Sequence, residues 1–487
     1  MRRLLPIVLL LAALPAAAQD TPLFTADFPP AEFTARRAKL YDSIGPRSVA
    51  IVQGEPTPRG YVRFRQSNEF YYLTGIEVPH AYVLLDGSTR RATLFLPHQD
   101  ARRESSEGKM LAAEDADLVK NLSGIDDVAP LEALPARLGS LMRRPVLEAV
   151  YIPYQPAEGL AESRDLALRR VQDRLADPFD SRPGRESVFI NLVRERFPAF
   201  VIRDLSPILD DLRLIKSERE ITLIKKATVL SGLAIMEAMR SVEPGVVERE
   251  IDALARFIYL RHGAQGDAYY SLVASGPNAW YPHYHKGTRT MRAGEWLLFD
   301  FAPDVGYYMS DLTRMMPVSG RFTPQQREIY GFYKVVYRAI LDRIRPGVTA
   351  KQVKTEAVAE MRRVLGTWSF SREIDRRAAT EFVDSYARGA DAASTSLGHG
   401  VGMATHDVGD YSGVLRPGMV FTIEPALRIP EEQTYIRMED LIIIRENGVE
   451  IVSDFVPMEI DAIETLMAER GLLQTYPRNE LGNGSGN

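Results

Sequence analysis

Two aspartates interrupt runs that otherwise have the composition of buried strands, and that conflict constrains this chain more than any other feature. Residues 295–316 read EWLLFDFAPDVGYYMSDLTRMM. Leu297, Leu298, Phe299 and Phe301 form one apolar run, Pro303-Asp304-Val305-Gly306 has turn chemistry, and residues 307–316 return as a second strand. A turn centred on Val305-Gly306 sets Asp300 and Asp311 opposite each other, with their side chains on one face. A buried unpaired carboxylate costs on the order of several kcal/mol, and a like charge beside it adds repulsion. Something positive must then lie between them, and a divalent cation is the simplest choice. The alternative is a pair of surface aspartates flanking a turn.

Three further stretches bear on that choice. Residues 396–402, SLGHGVG, set His399 among glycines, where backbone can approach closely and the imidazole can project. Residues 419–425, MVFTIEP, carry Glu424 in an apolar strand, and residues 435–444, YIRMEDLIII, carry Glu439. Alternation predicts Arg437 and Glu439 on one face of their strand. Taken singly, each glutamate reads as a paired core charge and the histidine as a structural one. Together, four carboxylates and one imidazole suit two hard or borderline dications, Mn²⁺, Co²⁺ or Zn²⁺, bridged by carboxylates. Two such ions about 3.5–4 Å apart can hold a bridging hydroxide and stabilise a tetrahedral oxyanion, the chemistry of amide hydrolysis. Proton transfer needs separate groups. Of the seven histidines, His283, His285, His399 and His406 lie in this region. His283 and His406 are the candidates for substrate binding and proton movement, and His285 reads as structural or rim.

The rest of the chain supplies the setting. At 487 residues, 45% hydrophobic and 26% charged, it is long enough for two or three globular domains. Arg2-Arg3, the apolar residues 4–14 and Ala16-Ala17-Ala18 have the three parts of a secretory signal, residues 1–18, so the mature protein is expected to be exported, periplasmic or secreted. The apolar run is too short to span a bilayer, and no membrane attachment is expected after cleavage. The absence of cysteine excludes disulfides and thiolate metal sites. Loss of the two arginines takes the formal charge from −5 to about −7, with no basic block, so nucleic acid is not an expected partner.

Residues 32–43 read as an amphipathic helix, and residues 48–53, 61–65, 70–74, 81–85 and 92–96 as strands. Helical stretches at 115–122 and 131–142 alternate with strands near 150–152 and 200–202, an α/β domain over residues 28–205. Residues 153–190 read either as a surface excursion or as a helical insertion. A second unit, 212–470, opens with Ser217-Glu218-Arg219-Glu220, a capping box for a helix reaching about residue 242. Pro244-Gly245-Val246 then precedes a second helix to about residue 262. The layout recurs with the capping box Thr323-Pro324-Gln325-Gln326, Pro346-Gly347-Val348 and a helix over 351–365, which suggests a duplicated helix-helix-sheet half-domain. Residues 479–487 read as a disordered tail.

These motifs resemble those of the pita-bread metallopeptidase family, which holds aminopeptidase P, prolidase, methionine aminopeptidase and the related creatinase. They are Asp300, Asp311-Leu312-Thr313-Arg314, His399 to Gly402 with His406, Glu424-Pro425 and Arg437-Met438-Glu439-Asp440. Residues 65–75, RQSNEFYYLTG, resemble the signature of the amino-terminal domain shared by aminopeptidase P and prolidase. The resemblance implies an α/β (α+β) chain, with a C-terminal pita-bread domain built on a curved antiparallel sheet. It implies a metal set of Asp300, Asp311, His399, Glu424 and Glu439 holding two divalent ions, Mn²⁺ foremost. It puts His283, His406 and Arg437 in catalysis, with His283, His406, Tyr281 and Tyr284 binding substrate, and points to a homo-oligomer, dimer or tetramer. The implied activity is release of the first residue from peptides with proline second. Prolidase is the alternative, and a non-catalytic binding module on the same fold a more distant one. Two positions depart from the family pattern: Thr395 stands where a histidine is usual, and Arg428 where a tyrosine is common.

Overall fold

The computed structural model describes residues 27–144 and 146–476; the signal and tail expectations lie outside them. In the first domain a six-stranded sheet runs, edge to edge, Asp127–Pro130, Arg91–Leu96, Tyr82–Asp86, Ser48–Gln53, Ala149–Ile152 and Ile202–Asp204. Its three central members pair antiparallel and its outer pairs parallel. Successive side chains point to opposite faces, and both faces are covered. Val49, Ile51, Leu84 and Phe95 meet the helices Leu134–Leu141 and Arg185–Arg196, whereas Ala50, Val52, Val83 and Leu85 join the main core with Phe33 and Phe70.

The aromatic run predicted as a strand at 70–74 is a helix, Asn68–Thr74, and all seven of its residues are buried. Burial on every side removes the alternation that marks a strand, so aromatic content alone misleads. Gly75, at φ +67°, ends the helix, and Phe33 lies where a side chain at that position would go. Residues 61–65 carry no strand; Tyr61 is fully exposed and Arg65 turns back toward the second domain. The 153–190 stretch contributes the helix Arg164–Ala176 and the start of Arg185–Arg196.

In the second domain, helices Glu218–Ser241 and Glu248–Arg261 precede one group of strands, and Pro324–Leu341 and Ala350–Thr367 precede another. Both expected capping boxes form, with Ser217 and Thr323 accepting from the backbone at Glu220 and Gln326. A further helix, Glu373–Asp391, follows the second pair. The strands are antiparallel throughout: Leu272–Ser275, Trp296–Asp300 and Thr313–Pro317 form one sheet, Val420–Ile423, Asp440–Arg445 and Gly448–Ile451 another. The stretch read as one strand at 435–444 is two, Thr434–Arg437 and Asp440–Arg445, in different sheets, so Arg437 and Glu439 do not share a strand face.

The aspartate hairpin differs in register from the expectation. Its turn centres on Gly306-Tyr307, both at positive φ (60° and 72°), between the bridged pair Val305 and Tyr308. Asp300 therefore faces Thr313, and Asp311 is its diagonal neighbour on the same face. Positive φ is costly for tyrosine, and the first domain holds Tyr307 there. Its ring stacks on Tyr71 at 3.6 Å, and its hydroxyl accepts from the Gln66 backbone at 2.8 Å and donates to Glu77 at 2.6 Å.

Candidate metal centre

Asp300 ends a fully buried strand, and Asp311 lies two residues before the strand opposite. Their Oδ1 atoms converge on the hydroxyl of Tyr269, at 2.6 and 2.7 Å. Glu424 follows the strand Val420–Ile423, and Glu439 sits in the break before Asp440. His399 Nδ1 contacts the carbonyl of Gly400 at 3.1 Å, which leaves Nε2 facing the acids. Nε2 lies 3.3 Å from Glu424 Oε1, 3.6 Å from Asp311 Oδ2 and 3.9 Å from Glu439 Oε1. The flanking glycines allow this placement: a side chain at Gly398 would collide with the Thr422 carbonyl, and one at Gly402 with Asp407.

Arg437 is the only guanidinium in direct contact with these carboxylates among the described residues. It bonds Asp300 Oδ2, Glu424 Oε2 at 2.9 Å and Thr313 Oγ1 at 3.1 Å, and Thr313 donates in turn to Glu439 Oε2 at 2.7 Å. Behind them Arg314 donates to Asp440 at 2.6 Å and to the Glu439 carbonyl at 2.7 Å. Tyr337 adds a bond to Asp440 at 2.8 Å. Arg314 and Asp440 thus clamp the backbone that presents Glu439, rather than entering the site.

One guanidinium does not balance four acids. Burial, with the charges of Asp311 and Glu424, pushes Glu439 well above the usual carboxylate range, and burial raises Asp311 too. Burial alone would lower His399; the hydrogen bond to Glu424 and the three surrounding acids instead raise it to about 10. Glu439 Oε1 is buried without a hydrogen-bond partner. Asp311, His399 and Glu439 each offer a ligand atom within 4.8 Å of the others. Oxygen and imidazole donors, an orphaned carboxylate oxygen and excess negative charge fit divalent cations.

His283, His406, Thr405 and Arg437 line one cavity with Asp300, Asp311, His399 and Glu424. His406 packs against His399 with ring centroids 4.1 Å apart, and its Nδ1 meets Asp165 at 3.1 Å. Burial, followed by the charge of Arg437, holds His283 below its usual range. Tyr281 and Tyr284, expected to bind substrate, line an adjoining cavity that shares His283 with this one; Tyr281 is exposed. His285 packs against Tyr270 with ring centroids 4.4 Å apart and the planes tilted by 44°, and it lines the adjoining cavity with Tyr281 and Tyr284. Arg428 lies over Trp280 and Tyr435, at 5.6 and 5.0 Å, and Thr395 accepts from Lys354 at 2.7 Å. The residues missed in sequence are Tyr269 and the wall formed by Ser163, Asp165, Leu166 and Arg169 of the first domain. No short-range pattern marks them.

Known proteins share this architecture. Residues 222–446 match the metallopeptidase family M24, and residues 33–151 match the aminopeptidase P N-terminal domain. The Xaa-Pro aminopeptidase of Escherichia coli is 30% identical over 455 residues, which cover 90% of this chain and 97% of the relative. The structure of Escherichia coli aminopeptidase P with the inhibitor Pro-Leu aligns with a TM-score of 0.72 at 28% identity, covering 90% of this chain and 98% of that one. A zinc-substituted form of the same enzyme in complex with product gives 0.71 at 27% identity over the same shares. The chain belongs to metallopeptidase family M24, with an aminopeptidase P-type amino-terminal domain ahead of a pita-bread domain.

Proposed function

We propose that this protein is a metallo-aminopeptidase that removes the first residue from peptides carrying proline second. The observation that carries this reading is the set Asp300, Asp311, His399, Glu424 and Glu439, with Asp300, Asp311 and Glu439 buried and four acids facing only two cations, Arg437 and His399, among the described residues. These residues would hold two divalent ions, Mn²⁺ first among the candidates. Bound there, the ions supply Lewis-acid charge and a water that ionises near neutral pH.

The chain's own groups do the positioning. Arg437 orients Asp300 and Glu424, and Tyr269 draws Asp300 and Asp311 together. His406, with Nδ1 on Asp165, keeps Nε2 for the substrate, and His283 is a second imidazole on the same cavity. An X-Pro bond lacks an amide N–H, so recognition must rest on the ring, the carbonyl and the free amino terminus, which the acids attract. The first domain narrows the approach, which favours tripeptides and longer chains over dipeptides. The N-terminal segment, basic then apolar then small, and the lack of cysteine support export, and a homo-oligomer is the expected assembly.

The test compares initial rates on X-Pro-Y, X-Pro and X-Ala-Y peptides with Mn²⁺, Co²⁺ or Zn²⁺ supplied to chelator-stripped protein. Cleavage confined to dipeptides would make it a prolidase, and equal rates on X-Ala-Y would remove the proline preference.

A further inference from the structure

Three arginines of the helix Arg164–Ala176, Arg164, Arg169 and Arg170, differ in what they touch. Arg164 is tied to Glu69, Glu158 and Asp210 at 2.8, 2.9 and 3.3 Å, and Arg170 to Glu162 at 2.8 Å. Arg169 is exposed and lines the cavity, with no carboxylate at ion-pair distance among the described residues. It lies one turn beyond Asp165, the partner of His406, so both project from one face of the helix into the same space. The Arg164 anchors hold that face in place. The cavity is therefore polarised, with acids and His399 at its floor and one untied guanidinium on the wall supplied by the first domain.

We propose that Arg169 is a specificity-determining residue that receives a substrate carboxylate lying downstream of the scissile bond. A peptide bound with its ammonium toward the acids and its chain running outward directs its later residues to this wall. A guanidinium meets a carboxylate with two parallel hydrogen bonds. The carboxylate can be the C-terminus of a short peptide or an acidic side chain of a longer one. The inference rests on the aminopeptidase reading above.

The experiment measures kcat and KM on Ala-Pro-Ala, Ala-Pro-Ala-NH₂ and Ala-Pro-Glu-NH₂ for the metal-loaded wild type, Arg169→Ala and Arg169→Lys. The wild type should prefer the free acid over the amide roughly tenfold in kcat/KM, the scale of one charge-assisted contact, and added salt should shrink the ratio. Arg169→Ala should bring the ratio close to one through KM, and Arg169→Lys should restore part of it. Recovery of the preference on Ala-Pro-Glu-NH₂ assigns the contact to a side-chain carboxylate as well; preference for the free acid alone assigns it to the C-terminus. The same acid-to-amide ratio in wild type and Arg169→Ala overturns the proposal, as does an equal loss on all three peptides. A wild type that cleaves none of them overturns the aminopeptidase reading instead.

Discussion

Two buried clusters of charge lie side by side in this molecule, and their charge balance differs. At the domain junction, Arg213 bonds Glu158 at 2.7 Å and Asp407 at 2.5 Å, Lys216 bonds Asp407 at 2.9 Å, and Arg164 completes the set on Glu69 and Glu158. Asn68 donates to Glu158 at 2.8 Å and to the Met403 carbonyl at 3.1 Å, so the first-domain signature is tied to the loop that carries His406. Each buried acid there finds a cation from its own chain. In the metal centre, among the described residues, Arg437 and the imidazolium of His399 face four acids, so the acids outnumber the cations two to one. Unequal pairing, with Glu424 and His399 half-buried at the cavity and the junction core closed off from solvent, separates a cluster that holds the fold from one that is completed from outside.

The largest effect is expected on the incomplete cluster. Asp311→Asn removes one ligand and should lower activity by at least about 10³-fold, beyond the 10–100-fold typical of outer-shell changes, with metal content reduced. Because it also relieves repulsion, the metal-free variant should unfold at the same or a higher denaturant concentration than metal-free wild type. Full activity with normal metal content would break the contrast.

The balanced cluster should respond in stability. Asp407→Ala leaves Arg213 and Lys216 buried beside an absent partner, and urea unfolding should show a loss of about 3–5 kcal/mol. A loss below about 1 kcal/mol would mean that water or rearrangement compensates and the junction is not a structural clamp. Next in size is His406→Ala, which should retain bound metal and lose roughly 10²-fold in kcat/KM, the scale of one positioned acid-base group. Metal loss in parallel with activity would make His406 a ligand.

The same contrast explains what could be read in advance. Asp300 and Asp311 stood out because charge in an apolar run violates a local rule, and the Ser217 and Thr323 capping boxes are complete within four residues. The hairpin was legible but its register was not, since the tyrosine at positive φ is held by Tyr71 and Gln66, far away in the chain. The 68–74 helix was hidden because burial on all sides leaves no period. Asp165 reaches His406 across 241 residues, and Tyr269 meets Asp311 across 42, distances over which periodicity carries no information. Arg314 and Asp440 belong to the quoted motifs, but only the fold reveals that they brace Glu439 from behind.

The smallest effect separates the clusters by titration. In the metal-free protein Glu439 and Asp311 have raised folded-state pKa values, principally through burial. A raised carboxylate binds protons in the folded state after the unfolded chain has released them, so its stabilisation is complete below the unfolded value and lost as pH rises through the folded one. His399 has the same sign: its contribution is complete below 6.5 and lost as pH approaches about 10. At the junction the charges of Arg213 and Lys216 outweigh burial and lower Asp407, whose contribution persists above 3.8 and is lost only as pH falls. Burial and the charge of Glu158 instead push Glu69 up to about 7, so that its contribution is lost as pH rises through that value with or without metal. Chelated protein should therefore lose a few degrees of Tm, roughly, between about pH 5 and pH 9, and saturating Mn²⁺ should flatten that slope, leaving the part that Glu69 contributes, by replacing protons among the acids of the metal centre. The measurement is a thermal melt series with and without chelator. A chelated protein whose Tm holds level or climbs across that interval would mean that the four acids are already balanced by the chain itself, and the distinction between the two clusters would collapse.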